Sequence, residues 1–190
     1  MMRIGILGDI GSGKSYVARN FGYPVFNADH EVAQLYQQNR KIFVSLKKSL
    51  PKFFHSFPIK KEEISNAILA NKNNLNKIVK IVHTEIRKKM NLFLKKNKNK
   101  KIVILDIPLL LENNINKKED ILIFVQSKQS EIIKKLKKRK NFNQKLFKKF
   151  KAIQYSNTYK KKKSHFIIKN DFTKKSVNTG IKHILNKLNV

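Results

Sequence analysis

Residues 8–15 read Gly8-Asp9-Ile10-Gly11-Ser12-Gly13-Lys14-Ser15. They fill every fixed position of the pattern G-x-x-x-x-G-K-[ST]. No other stretch restricts the fold as much, because this pattern needs a strand, a tight loop and a helix in that order. The flanks comply. Residues 3–7 (RIGIL) predict a short buried strand, and 15–21 (SYVARNF) predict the opening of a helix. Gly8, Gly11 and Gly13 permit backbone conformations closed to other residues. The loop N–H groups can then converge on phosphate oxygens, helped by the helix N-terminus. Lys14 is placed to reach β- and γ-phosphates, and the Ser15 hydroxyl to face Mg²⁺. Asp9, Ile10, Ser12 and Tyr16 complete the predicted nucleotide-binding stretch. The bland alternative is a glycine-rich turn with a chance Gly-Lys-Ser, which the strand and helix disfavour.

A length of 190 residues suits one compact domain with a sizeable core. Hydrophobic residues make up 41%, slightly under the globular norm, but they cluster in runs, so a folded chain is expected. The absence of Cys excludes disulfides and thiolate metal sites. The apolar run at 4–7 is too short for a signal peptide, and the one at 107–111 is too short to span a bilayer. A cytoplasmic chain is expected.

The formal charge of +31 raises nucleic acid or anionic membrane as partners. Of the 43 basic residues only five are arginine, at 3, 19, 40, 87 and 139. Paired recognition of phosphate and base oxygens favours the planar arginine fork. Lys, Asn and Ile are all abundant, and A/T-rich codons encode all three. The charge therefore reads mainly as solvated surface, without a specific nucleic-acid site. It should still draw polyanions to the chain in a salt-sensitive way.

Residues 24–29 (PVFNAD) predict a second strand with Asp29 at its carboxyl end, where ligands of open α/β sheets gather. Asp29 could accept a hydroxyl proton, hold a metal-bound water, or simply cap a helix over 31–38. Residues 41–99 read as a polar helical insertion, with Ile64, Ile68 and Leu69, then Leu75, Ile78 and Val82, at helical spacing. His83 and Arg87 share one helix face and could receive an anion; a structural histidine is the plainer reading. Residues 101–106 (KIVILD) form the clearest strand, continuous and apolar as burial on both faces requires. Asp106 ends it in the manner of a Walker-B acid. Further strands are predicted at 120–126 and 165–170, and helices at 130–140 and 177–188. Residues 138–163 are strongly basic and end in four lysines. They suit a helical lid over phosphates or a merely solvated helix pair.

The order of these pieces, over residues 4–170, resembles the dephospho-CoA kinase family within the P-loop nucleotide-kinase fold. The matching stretches are the phosphate loop, Asn27-Ala28-Asp29 where the family has Asp-Ala-Asp, and Val82-His83-Thr84-Glu85-Ile86-Arg87. Asp106-Ile107-Pro108-Leu109-Leu110-Leu111-Glu112 follows, then Arg139, Gln154, Lys160 and Phe166-Ile167-Ile168-Lys169-Asn170. The resemblance implies an α/β fold: a five-stranded parallel sheet flanked by helices. It implies one domain, 1–190, with a nucleotide-binding core (1–30, 100–137, 164–190), a helical acceptor-binding part (31–99) and a lid (138–163). The implied reaction moves the γ-phosphoryl group of ATP, with Mg²⁺, to the ribose 3′-hydroxyl of dephospho-CoA. By resemblance Asp29 takes or orients the hydroxyl proton. His83, Arg87, Leu109, Leu110 and Glu112 line the acceptor side, Arg139 comes down from the lid, and Asn170 lies near adenine. A monomer or weak homo-oligomer is expected.

Four residues depart from the family pattern: Asn27 for its first Asp, Asp9 for a glycine, Thr84 for a proline and His165 for an acid. A carboxylate at residue 9 would oppose bound phosphate unless it points away or joins the metal shell. The rival readings are a P-loop kinase with another nucleoside or nucleotide acceptor, a nucleic-acid-stimulated ATPase, and an idle relative.

Overall fold

The computed structural model describes residues 1–140 and 142–190. Asn141, inside the stretch read as a lid, lies outside the described residues. The chain divides into two compact units: Met1–Asn27 with Asn97–Asn143 and Lys149–Val190, and Ala28–Lys96 with Gln144–Lys148.

The first unit is built on strands β1 (Met2–Gly8), β2 (Val25–Asn27), β3 (Ile102–Asp106), β4 (Ile121–Gln126) and β5 (Phe166–Lys169). Every pairing is parallel, in the order β2-β3-β1-β4-β5. The chain thus leaves central β1 in both directions, and ligands of such sheets collect beyond the carboxyl ends near that reversal. Helices α1 (Lys14–Asn20) and α9 (Lys174–Lys187) cover the face that carries Ile4, Ile6, Ile104 and Ile123, all fully buried. On the alternate residues of β1, a Cβ added to Gly5 would come within 2.6 Å of Leu110 and 2.9 Å of Leu122. Glycine at that position lets the turn after β3 lie flat on β1. Arg3, also buried, pairs with Asp120 at 3.0 Å. Burial nevertheless raises the Asp120 pKa, against the lowering effect of the Lys117 amide and the Arg3 charge.

The second unit holds α2 (Ala28–Gln38), α3 (Arg40–Ser49), α4 (Lys61–Ala70) and α5 (Lys72–Lys96). α5 buries Leu75, Ile78, Val82, Ile86 and Met90, the spacing of a single helix face. Lys89 on α5 pairs with Glu31 on α2 at 2.8 Å. Glu63 braces the start of α4 by accepting from the amides of His55 (2.8 Å), Ser56 (3.0 Å) and Lys60 (3.1 Å). The remaining helices are α6 (Gln129–Lys137), α7 (Gln144–Ala152) and α8 (Asn157–Lys163). Among the described residues no helix is long and apolar enough to cross a membrane.

Three local expectations need correction. β2 stops at Asn27, because its partner β3 ends opposite it at Asp106. Helix α2 starts at once, so Asp29 sits in its first turn, neither ending a strand nor capping a helix at 31–38. An acid there faces the positive end of the helix dipole. The helix expected over 130–140 ends at Lys137, since beyond Leu136 only Lys137-Lys138-Arg139-Lys140 follow and no apolar side chain holds another turn. Finally, one lysine of the terminal run is not solvated: Lys160 is 3% exposed.

Candidate active site

The loop between β1 and α1 is held by its own backbone and from behind. Gly13, the residue before α1, has φ 90° and ψ 19°, the left-handed region. A Cβ there would also collide with the Asn170 side-chain amide, so the position excludes other residues on two counts. The Ser12 carbonyl accepts from Asn170 Nδ2 at 2.9 Å and Ser127 Oγ at 3.0 Å. Asn170 in turn donates its amide to Gln126 O (2.8 Å), and its Oδ1 accepts from Phe172 N (2.8 Å). Loop residues are therefore tied to the carboxyl ends of β4 and β5. Lys14 Nζ donates to Asp9 O at 2.7 Å and Gly8 O at 3.3 Å, folding its ammonium over the loop. A braced loop with a lysine folded across it presents positive charge at a helix N-terminus, the chemistry that attracts anions.

Beside the loop lies a cleft of about 390 Å³ lined by residues 126–128 and 169–172 with Glu131. Asn170 belongs to both the cleft and the brace. Lys135 Nζ lies 4.7 Å from the centre of the Phe172 ring. Tyr16, on the first turn of α1, is exposed.

At the ends of β2 and β3, Asn27 Nδ2 donates to Asp106 Oδ2 at 2.5 Å, and the two residues are register partners. Asp106 is buried. The departure of residue 27 from acid to amide thus turns a juxtaposition of two carboxylates into a hydrogen bond. Ser15 is half-buried at the start of α1. No cluster of three metal-ligating side chains occurs among the described residues. Mg²⁺ seldom uses such a cage, preferring one or two protein oxygens with waters and phosphates, so Ser15 and Asp106 suit it as donors.

Asp9 is 2% exposed. Its Oδ1 accepts from Ile10 N at 2.7 Å, while Oδ2 accepts from Lys151 Nζ and from Asn157 Nδ2, the latter at 3.2 Å. Burial raises its pKa, but the hydrogen bonds from Lys151 and Asn157 and the Lys151 charge outweigh burial and hold it below the ordinary value. The carboxylate is ionised and neutralised.

A second acid is held in the same way. Glu112 accepts from Tyr155 N at 2.8 Å and pairs with Lys160 at 3.2 Å, and Lys160 also donates to Gln154 at 3.0 Å. Three residues that carried the family resemblance, Glu112, Gln154 and Lys160, therefore meet in one cluster. Leu109 has φ 58° in the preceding turn, and Leu110 is buried against Gly5, shaping that turn from behind. Arg139 is exposed in the turn after α6. The ring of His165 accepts from Leu122 N at 3.0 Å, as the family's acid could.

The remaining candidates belong to the helical unit. Asp29 is exposed on α2. His83, half-buried, and exposed Arg87 stand one turn apart on α5. Burial, then the Arg87 charge, lowers the His83 pKa, so its ring is neutral at pH 7. Ser127, Lys151 and Asn157 were not foreseen. Ser127 had a weak signal, as it lies just beyond the carboxyl end of a predicted strand; Lys151 and Asn157 had none.

A family model described as dephospho-CoA kinase matches residues 2–176. The dephospho-CoA kinase of Wolbachia pipientis wMel is 31% identical over 100% of this chain and 99% of its own length. That of Zymomonas mobilis is 28% identical over 90% of this chain and 88% of its own. Among solved structures, a Thermus thermophilus protein aligns with TM-score 0.76 at 23% identity, covering 98% of this chain and 97% of its own. Dephospho-CoA kinase from Campylobacter jejuni aligns with TM-score 0.59 at 21% identity, covering 98% and 96%. These structural likenesses carry the fold: a five-stranded parallel sheet flanked by helices.

Proposed function

The chain belongs to the dephospho-CoA kinase family, a kinase that phosphorylates dephospho-CoA in coenzyme A biosynthesis, and from that premise we propose how its residues do so. The phosphate donor is ATP, with its β- and γ-phosphates on the loop amides and Lys14. Its adenine enters the cleft beside Asn170. The acceptor is the ribose 3′-hydroxyl. Its oxygen bonds to the γ-phosphorus, the bond from that phosphorus to the β,γ-bridging oxygen breaks, and ADP leaves with the electron pair.

Asp29 receives the hydroxyl proton. Because such transition states are loose, the proton leaves late, and the carboxylate acts mainly by aiming the hydroxyl. His83 and Arg87 bind the acceptor, and Leu109, Leu110 and Glu112 are assigned to it as well. Arg139 and Lys14 offset charge on the transferring group. Ser15 and Asp106 would hold Mg²⁺, which supplies charge neutralisation at the phosphate oxygens when bound.

One observation carries this reading: Lys14 rests on the carbonyls of Gly8 and Asp9, above a loop already fastened at Ser12. The test is a coupled assay of ADP release from Mg-ATP with dephospho-CoA and with a panel of other nucleosides and nucleotides. Release that depends on dephospho-CoA, with CoA as product, is expected. Release that depends on RNA, or on another acceptor alone, would reject the reading.

A further inference from the structure

Asp9 poses a problem that the proposed function leaves unsolved. It lies within the phosphate loop, is 2% exposed, and carries a charge of the same sign as a triphosphate. An acid so placed weakens phosphate binding unless another charge cancels it. Lys14 donates to the Asp9 main-chain carbonyl. The group that meets the carboxylate is Lys151, near the end of α7, joined by Asn157 at the start of α8. These partners are 142 and 148 positions away in sequence.

We propose that Asp9 and Lys151 form a charge-cancelling pair that fastens residues 151–157 to the phosphate loop and makes the loop competent for a triphosphate. Lys151 is thus a positioning residue that acts through Asp9. The inference rests on the reading of residues 8–15 as an ATP cradle. It concerns a residue that departs from the family's glycine, so it describes a device of this chain. The bonding set supports it. Both Asp9 oxygens are engaged, Oδ1 by the next amide in the loop and Oδ2 by the two partners. The side chain is thus held between the Ile10 amide of its own loop and the basic segment. That segment has a second anchor at Lys160 on Glu112, so its approach to the loop does not depend on Asp9 alone.

The sign of the prediction follows from which charge is left alone. In Lys151→Met a buried carboxylate stands unneutralised beside the triphosphate. Affinity for Mg-ATP, measured directly by calorimetry, should fall about tenfold, the order expected for one uncancelled charge in a partly buried site. In Asp9→Gly/Lys151→Met neither charge remains, and affinity should return to within about threefold of the original. Lys151→Arg keeps the cation and should stay within the same margin. A merely structural role for Lys151 predicts the opposite order, with the double variant at least as impaired as the single.

Asp9→Gly gives an independent reading should Lys151→Met fail to fold. It frees the Lys151 cation, so ATP should bind no more weakly than to the original chain, and with a steeper salt dependence. Binding to Lys151→Met within about threefold of the original, or no recovery in the double variant, overturns the proposal. So does binding to Asp9→Gly weaker by more than that margin. If the original chain binds Mg-ATP and phosphorylates dephospho-CoA while these variants behave otherwise, the charge pair falls and the kinase reading stands. An original chain that bound no Mg-ATP would remove both.

Discussion

Asn170 Nδ2 holds the carbonyl of Ser12 at 2.9 Å across 158 positions of sequence, and the same amide fills the space where any side chain at Gly13 would lie. The end of β5 is thereby built into the phosphate loop. Asn170→Ala removes this bond to the loop, and with it the one from Phe172 N, and leaves a void beside Gly13; only the first is lost from the loop itself. One lost hydrogen bond corresponds to about 0.5–1.5 kcal/mol, so KM for ATP should rise about 2–12-fold, with a smaller change in kcat. Steady-state kinetics with varied ATP would show it. Equal loss in kcat and no change in KM would mean that Asn170 serves the chemistry and not the loop.

Asp29 is the proposed proton acceptor. A general base contributes about 10²–10⁴-fold, so Asp29→Asn should lose that order in kcat while ATP affinity barely changes. Turnover within about threefold of the original, well below that range, would reject the assignment.

The four lysines from Lys160 to Lys163 are chemically identical but differ in burial. Lys160 is 3% exposed and paired with Glu112, while Lys161, Lys162 and Lys163 are exposed. Breaking a buried pair typically costs about 3–5 kcal/mol, whereas a surface change stays within about 0.5 kcal/mol. Lys160→Met should therefore lower the urea midpoint clearly, and the same change at the other three should not. Adding Glu112→Gln to Lys160→Met should recover part of the loss, because the orphaned charge disappears.

His83 reports on Arg87. Its pKa lies below 6.5 because of burial first and the Arg87 cation second. Arg87→Ala removes the second cause alone, so an NMR titration should find the pKa raised but still under its ordinary value. If Arg87 also receives an anionic group of the acceptor, the same variant should raise KM for dephospho-CoA about 10–100-fold, the loss of a charge-assisted hydrogen bond. ATP kinetics should be little affected.

Acid should destabilise this chain early. Asp9 and Glu63 have folded-state pKa values below their ordinary 3.8 and 4.5, and Asp171 is lowered to about 2 by Ser176 and Thr173. For Glu63 burial raises the pKa, and the His55, Lys60 and Ser56 amides more than reverse it. For each, the unfolded chain binds more protons in the interval between the folded and ordinary values. Their contribution is complete above pH 5 and lost as pH falls through the depressed values. Asp120 opposes this, since its raised pKa favours the folded state at low pH. Twelve acids against 43 bases leave little to restrain the charge once carboxylates protonate. Thermal midpoints measured from pH 6 to pH 2 should drop steeply below about pH 4.5, and added salt should soften the fall.

The parts of the fold that sequence revealed are the local ones. Residues 102–105 are continuously apolar, and both faces of β3 are covered. The spacing of Leu75, Ile78 and Val82 became the buried face of α5. Asp29 was harder, because Asn27-Ala28-Asp29 suits a strand end or a helix start, and only the length of β3 opposite decides where pairing stops.

What residues 1–190 determined alone is the strand–loop–helix around residues 8–15 and the sheet. A left-handed glycine, a lysine one step later and runs of β-branched residues act through bond geometry and nearest neighbours. The fate of each charge was decided only in three dimensions. Nothing near Asp9 in sequence marks Lys151 as its partner, and nothing in a run of four lysines marks Lys160 as the buried one. Coulomb attraction and the cost of leaving water depend on distance and burial in space, and the packed chain alone supplies both.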